Sequence, residues 1–145
     1  MDDLTCEIMI DARPGTIFPF LTDPAKHLLW MGSEAELDPR PGGTYRVLVG
    51  GEHPGVGEFV EVVPDERVVF TFGWDLPDHP IPAGSTTVTI TLIPEGDKTR
   101  VQLVHSGLRA DARDDHRTGW NHFLGRLGVA AAGGDPGPDR GPAAG

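Results

Sequence analysis

Arg67-Val68-Val69-Phe70-Thr71-Phe72-Gly73-Trp74 is the most informative phrase in the chain. Val68, Phe70, Phe72 and Trp74 alternate with Arg67, Val69, Thr71 and Gly73, which is the period of a strand with one buried face. The strand runs over Arg67–Asp75 and carries the strongest apolar stripe of the sequence. Its neighbours repeat the pattern. After a proline-rich loop, Leu76 to Gly84, the segment Thr86–Ile93 sets Val88, Ile90 and Leu92 against Thr87, Thr89 and Thr91, one face buried and one wet. Glu95-Gly96-Asp97-Lys98 is a hairpin turn, and Arg100–Ser106 alternates Val101, Leu103 and His105 with Gln102, Val104 and Ser106. In the other direction, Pro64-Asp65-Glu66 turns the chain back onto a strand over Val56–Val63. A glycine-rich loop, Gly50 to Gly55, precedes that strand, and the turn cluster Pro39-Arg40-Pro41-Gly42-Gly43 separates two more, Glu34–Leu37 and Thr44–Val49. Leu4, Cys6, Ile8 and Ile10 make a first strand. Turns this short join neighbours in an antiparallel sheet.

Helical signals lie at two places. Pro14 suits a first helical position, Ile17, Phe18 and Leu21 share a face, and Pro19 keeps that helix short or kinked. Asp23 is a cap for a second short helix leading to Leu28, Leu29 and Trp30. The last element is a helix over Asp114–Ala132, with His116, Trp120, Phe123, Leu124 and Leu127 on one face. Gly119, Gly125 and Gly128 lower its intrinsic propensity by roughly 1 kcal/mol each, so packing must hold it, and small residues allow a close approach to a sheet. A sheet with one apolar face needs a cover, and this helix is the only long amphipathic element available. The predicted architecture is α+β: a strongly curved antiparallel sheet of about six to seven strands around a long C-terminal helix. Two short helices after the first strand close one end, and a cavity lies between sheet and helix. The domain is assigned to residues 3–132. Residues 133–145, GGDPGPDRGPAAG, bury too little to offset their ordering entropy and are expected to form a disordered tail.

Composition narrows the function classes. The chain has 145 residues, which suits one domain, and 22 acidic against 12 basic residues leave a net charge of -10. Nucleic acid and anionic membrane are therefore poor partners, since binding either relies on Lys and Arg. No stretch approaches the ~20 apolar residues of a membrane span, and the acidic start, Met1-Asp2-Asp3, is unlike a signal peptide, so a cytoplasmic location is expected. The single cysteine, Cys6, excludes an internal disulfide and reads as an inert core thiol. His27, His53 and His79 fall in separate loops and His116 and His122 on different helical faces, so no metal site or cofactor is expected.

Several phrases occur in the order of a known family. They are Pro14-Gly15-Thr16-Ile17-Phe18-Pro19-Phe20-Leu21-Thr22-Asp23-Pro24, Leu29-Trp30, Asp38-Pro39-Arg40-Pro41-Gly42-Gly43, Gly57-Glu58-Phe59-Val60-Glu61-Val62, the Arg67–Trp74 strand, Leu103-Val104-His105-Ser106-Gly107-Leu108, and His116-Arg117-Thr118-Gly119-Trp120 continuing to Leu127. Together they cover nearly the whole ordered chain. The sequence resembles the START-like, helix-grip superfamily, also called SRPBCC, and within it the branch named after activators of the heat-shock-protein ATPase. Met31 stands where that family commonly has a second aromatic. The resemblance implies a hydrophobic cavity. Relatives bind lipids, hormones or polyketides, and some catalyse cyclisation or dehydration.

The candidate cavity walls are Tyr45, Phe70, Phe72, Trp74, Leu103, Trp120 and Phe123, with Tyr45 offering a polar handle or serving only as a half-buried sheet residue. His105 shares a face with Val101 and Leu103, which makes it a candidate general base; the competing reading is a structural histidine bonded to backbone at the strand end. Glu58 shares a face with Val60 and Val62 and would pair with His105 if that face is inward, or sit solvated at an edge if not. The leading expectation is a binding protein for a small hydrophobic or aromatic molecule, extending to metal-independent cyclase or dehydratase chemistry. The alternative is a chaperone-interacting or stress-accessory protein whose acidic surface meets a protein partner. Exposed strand edges leave monomer and homodimer both open.

Overall fold

Alternating burial runs through the computed structural model, which describes residues 3–49 and 53–137. The strands are β1 (Leu4–Ile10), β2 (Glu34–Leu37), β3 (Thr44–Val49), β4 (His53–Val63), β5 (Arg67–Phe72), β6 (Thr86–Glu95) and β7 (Lys98–Ser106). They form one sheet in the order β1-β7-β6-β5-β4-β3-β2, antiparallel throughout. Helices α1 (Pro14–Thr22) and α2 (Pro24–His27) follow β1, and α3 (Arg113–Ala131) closes the order after a single 3-10 turn at Ala110–Ala112. The predicted α+β helix-grip architecture is the one observed.

Local chemistry explains the element ends. Asp23 caps α2 by accepting from the Ala25 N–H at 3.1 Å. Pro19 lies inside α1, and the Asp23 N–H reaches the Pro19 carbonyl at 2.8 Å, ending the helix there. In β6, Thr86, Val88, Ile90 and Leu92 are buried, and in β7, Thr99, Val101, Leu103 and His105 are. Both follow the predicted alternation. On α3 the buried residues Trp120, Phe123, Leu124 and Leu127 face the sheet. Of its three glycines only Gly128 is needed for close approach: a Cβ there would come within 3.3 Å of Ile8, whereas Gly119 and Gly125 have nothing within 4 Å.

β4 departs from the simple period-two reading, and the departure matters for the site. The register with β5 shifts between Phe59 and Glu61. Phe59 pairs with Phe70 and Val62 with Val68, so buried Phe59 and partly buried Val62, of opposite parity, both pack against the core. A bulge is what allows this. Glu58 and Val60 are consequently outward and exposed. β4 also begins at His53, earlier than the predicted Val56, with Gly55 bridging to Trp74.

After α3, the Gly133 N–H bonds the Ala130 carbonyl (3.1 Å) and the Gly134 N–H the Val129 carbonyl (2.8 Å). Arg126 ties this region down, donating to the backbone oxygens of Trp30 at 3.1 Å, Leu29 at 3.4 Å and Pro136 at 3.3 Å. The remainder of the predicted tail, 138–145, lies outside the described residues, as do 50–52 of the predicted glycine loop.

Candidate functional site

Seven residues from four parts of the chain surround an apolar pocket of about 140 Å³ that opens on one side. Phe72 and Trp74 come from the end of β5 and just beyond it, Val49 from the end of β3, and Met31 from the segment after α2. Gly119, Trp120 and Phe123 come from α3. Four of the eight predicted ligand-site residues thus meet: Phe72, Trp74, Trp120 and Phe123. Val49 was not singled out from sequence, whereas Met31 was marked as standing in place of a family aromatic and Gly119 only as a helix glycine. Gly119 had left a trace, because it precedes Phe123 by one helical turn and so shares its face.

Tyr45, Phe70, Leu103 and His105 are placed elsewhere, in the packed core behind the pocket. The Tyr45 ring stacks on Phe70 with centroids 4.0 Å apart and 12° between planes, and Phe59 meets both rings edge-on at 5.9 and 6.0 Å. These three rings fill the space between them. The Tyr45 hydroxyl has no hydrogen-bond partner among the described residues, and burial pushes its pKa upward. Rather than being half-buried or a handle at the pocket, Tyr45 is fully buried in the stack.

His105 is bound at both ring nitrogens. The Trp120 Nε1–H donates to Nδ1 at 3.0 Å, so Nδ1 is the accepting nitrogen. The Thr86 hydroxyl donates to the Phe72 carbonyl at 2.6 Å, which leaves its oxygen to accept from His105 Nε2–H at 2.8 Å. The tautomer is therefore fixed, and a four-membered chain links α3, β7, β6 and β5. Burial, with a smaller contribution from neighbouring His116, pushes the His105 pKa down to about 3, so the ring is neutral at pH 7. His105 lacks the free nitrogen that general-base work requires. Nor can Glu58 pair with it: the bulge in β4 turns Glu58 to the outer face, where it borders an open depression with Val56, Gly57 and Thr71.

Two further histidines are held by backbone and indole groups, and one of them departs from its expected place. His27 ends α2 and is buried, not in an open loop. Its Nδ1–H and the Trp30 indole N–H both donate to the Phe20 carbonyl, at 3.1 and 2.8 Å. Burial lowers its pKa to about 4, against a smaller opposing effect of the Phe20 bond. His116, at the start of α3, accepts from Trp74 Nε1–H at Nε2 (3.2 Å) and donates from Nδ1 to the Ala112 carbonyl (2.9 Å). Both pocket tryptophans are thus held by imidazoles. Among the described residues no group of three or more His, Cys, Asp or Glu is placed to hold a metal ion, and no helix is long and apolar enough to cross a membrane.

The pocket's walls are almost wholly carbon, and its volume suits a single ring. An apolar cavity of about 150 Å³ takes up benzene, whereas sites for drug-sized ligands run to about 300–1,000 Å³.

Comparisons with known proteins agree with this architecture. A solution NMR structure of an AHSA1-like protein from Rhizobium etli is 46% identical over 96% of this chain and 87% of that one, with a TM-score of 0.75. The crystal structure of DynU16, from the dynemicin biosynthetic locus, is 22% identical over 94% of this chain but 49% of its own, with a TM-score of 0.80. An HSP90 activator from Plasmodium falciparum is 24% identical over 88% of this chain and 95% of that one, with a TM-score of 0.69. At those last two identities the likeness is one of fold. Among curated proteins none matches. Residues 11–132 match the family described as Activator of Hsp90 ATPase homolog 1-like protein. With that match spanning most of the chain, from the end of β1 through α3, the protein belongs to this family.

Proposed function

We propose that the protein binds a small, uncharged, ring-sized apolar molecule in the pocket between Trp74 and Trp120. The observation that carries the reading is the pocket itself, whose aromatic and aliphatic walls leave about 140 Å³ open to one side. Desolvating a charged group in such surroundings would be costly, whereas an apolar ring gains by leaving water. The setting of DynU16 in a biosynthetic locus is in keeping with small-molecule work by this fold. Binding is favoured over acid–base catalysis because His105 has both nitrogens engaged and Glu58 faces away.

The test is a titration with fluorobenzene, followed by ¹⁹F NMR and by thermal unfolding. A ligand at about 100 times its Kd stabilises by roughly 2.7 kcal/mol, or about 5–15 °C for a domain of this size. Gly119→Leu is the control, because Gly119 lines the pocket and a Cβ there meets nothing within 4 Å. The variant is expected to fold and to lose binding. Equal binding by Gly119→Leu would place the ligand elsewhere.

Family membership supports a second reading, contact with a chaperone through the acidic surface. Stimulation of a purified chaperone ATPase that persists in Gly119→Leu would favour it.

A further inference from the structure

The three tryptophan N–H groups differ in what accepts them. Trp30 donates to a carbonyl, that of Phe20 at 2.8 Å. Trp74 donates to His116 Nε2 at 3.2 Å, and Trp120 to His105 Nδ1 at 3.0 Å. A carbonyl accepts at any pH. An imidazole nitrogen accepts only while unprotonated; once it carries a proton, two N–H donors face each other. Both pocket tryptophans are on imidazoles, and Trp30, which is not a pocket wall, is on the carbonyl.

We propose that the pocket is gated by a proton: protonation of His116 releases the Trp74 indole from the pocket wall, and a ligand held at neutral pH is let go in mild acid. The proposal rests on the reading of this pocket as a ligand site. Trp74 can move as a side chain because its backbone is held separately, its N–H bonding the Ile81 carbonyl at 2.8 Å. Among the described residues its indole nitrogen bonds only His116.

The groups around His116 let it take a proton before His105 does. On its own helix, neighbouring Asp115 favours the charged ring. The Ala112 carbonyl from the 3-10 turn accepts from Nδ1 in either state. From β7 comes His105, with ring centroids 5.5 Å apart. From the loop after β5 comes His79, whose charge opposes that of His116. Arg109 and Asp111, in the segment between β7 and α3, are exposed and bonded to each other at 3.1 Å. Burial keeps His116 below the ordinary histidine range, so the gate is shut at pH 7. His105 is fully buried, and a charge on His116 disfavours a second one beside it. One wall therefore moves while the other stays.

The experiment follows the indole N–H signals of the ¹⁵N-labelled full chain from pH 7.5 to pH 5, with fluorobenzene as the probe. The Trp74 signal is expected to move along a single-proton curve while Trp30 stays still. Fluorobenzene affinity is expected to fall at least fivefold over the same range. His116→Gln, which offers Trp74 an accepting oxygen and cannot titrate, should hold both flat. A Trp74 signal that moves no more than that of Trp30, or a curve that persists in His116→Gln, overturns the proposal. So does unchanged fluorobenzene affinity while Trp74 titrates. In the unsubstituted protein the His116 ring signals must share the Trp74 midpoint, and different midpoints overturn the coupling without any variant. Failure of fluorobenzene to bind at pH 7.5 overturns the ligand reading instead, and the indole curves still decide whether proton and tryptophan are coupled.

Discussion

Two ends of the same concave sheet face carry aromatic rings, and they use them in opposite ways. Near β3 and β4, Tyr45, Phe59 and Phe70 lie on one another, with Tyr45 and Phe70 stacked at 4.0 Å. At the end of β5, Phe72 meets Trp74 at 5.1 Å and Trp120 at 6.1 Å, and the space between them is open. The rings are similar in kind. What differs is what holds them. The first group is positioned by other rings, so it closes up. The tryptophans of the second are held at the nitrogen by histidines, opposite a helix position that has no side chain, Gly119. Aromatic content alone therefore does not make a cavity. Rings restrained by polar bonds, facing a glycine, do.

The largest test of this contrast is truncation at the packed end. Phe70→Ala is expected to cost about 3–5 kcal/mol in urea unfolding, the range for emptying a fully packed aromatic site. Phe123→Ala, whose ring borders open space, should cost less than Phe70→Ala, because fewer packed contacts are lost. Equal costs would break the comparison.

Acid is the next largest. His27 and His105 have folded pKa values of about 4 and about 3, below the ordinary 6.5. A group depressed in this way contributes stability that is fully present above its unfolded pKa and lost as pH falls toward the folded one. The unfolded chain takes up the protons first. Between pH 7.5 and pH 5.5 the two together should remove about 2–3 kcal/mol, measured by urea unfolding at each pH. A stability that is flat over that range would show that these rings are not buried neutral.

The smallest effect sharpens the contrast from the polar side. Tyr45→Phe deletes a buried hydroxyl that has no partner among the described residues. It should leave stability unchanged or raise it by up to about 1 kcal/mol. A clear loss would mean that the packed end, too, depends on a polar bond.

Much of the fold was legible because its signals are local. Period two in β6 and β7 and the apolar stripe of α3 needed only neighbouring residues. The site was harder to read because its logic is long-range. Nothing near His105 announces Thr86 or Trp120 as its partners, although together they decide its tautomer. Glu58 was placed with Val60 and Val62 by parity, and one bulged residue reverses parity. The packing of Tyr45 against Phe70 depends on strands that are separated by β4 in the sheet order. Met31 and Val49 reach the pocket only through the closure of the sheet around α3.

The chain of bonds from Trp120 through His105 and Thr86 to Phe72 has one further consequence. Every donor in it points the same way, from the helix toward β5. Its inner members, His105 and Thr86, are 0% and 4% exposed. Solvent can reach the protons on the imidazole and the hydroxyl only when the central strands part. A deuteron installed there during refolding becomes an internal clock, whose rate of loss counts the openings of the sheet.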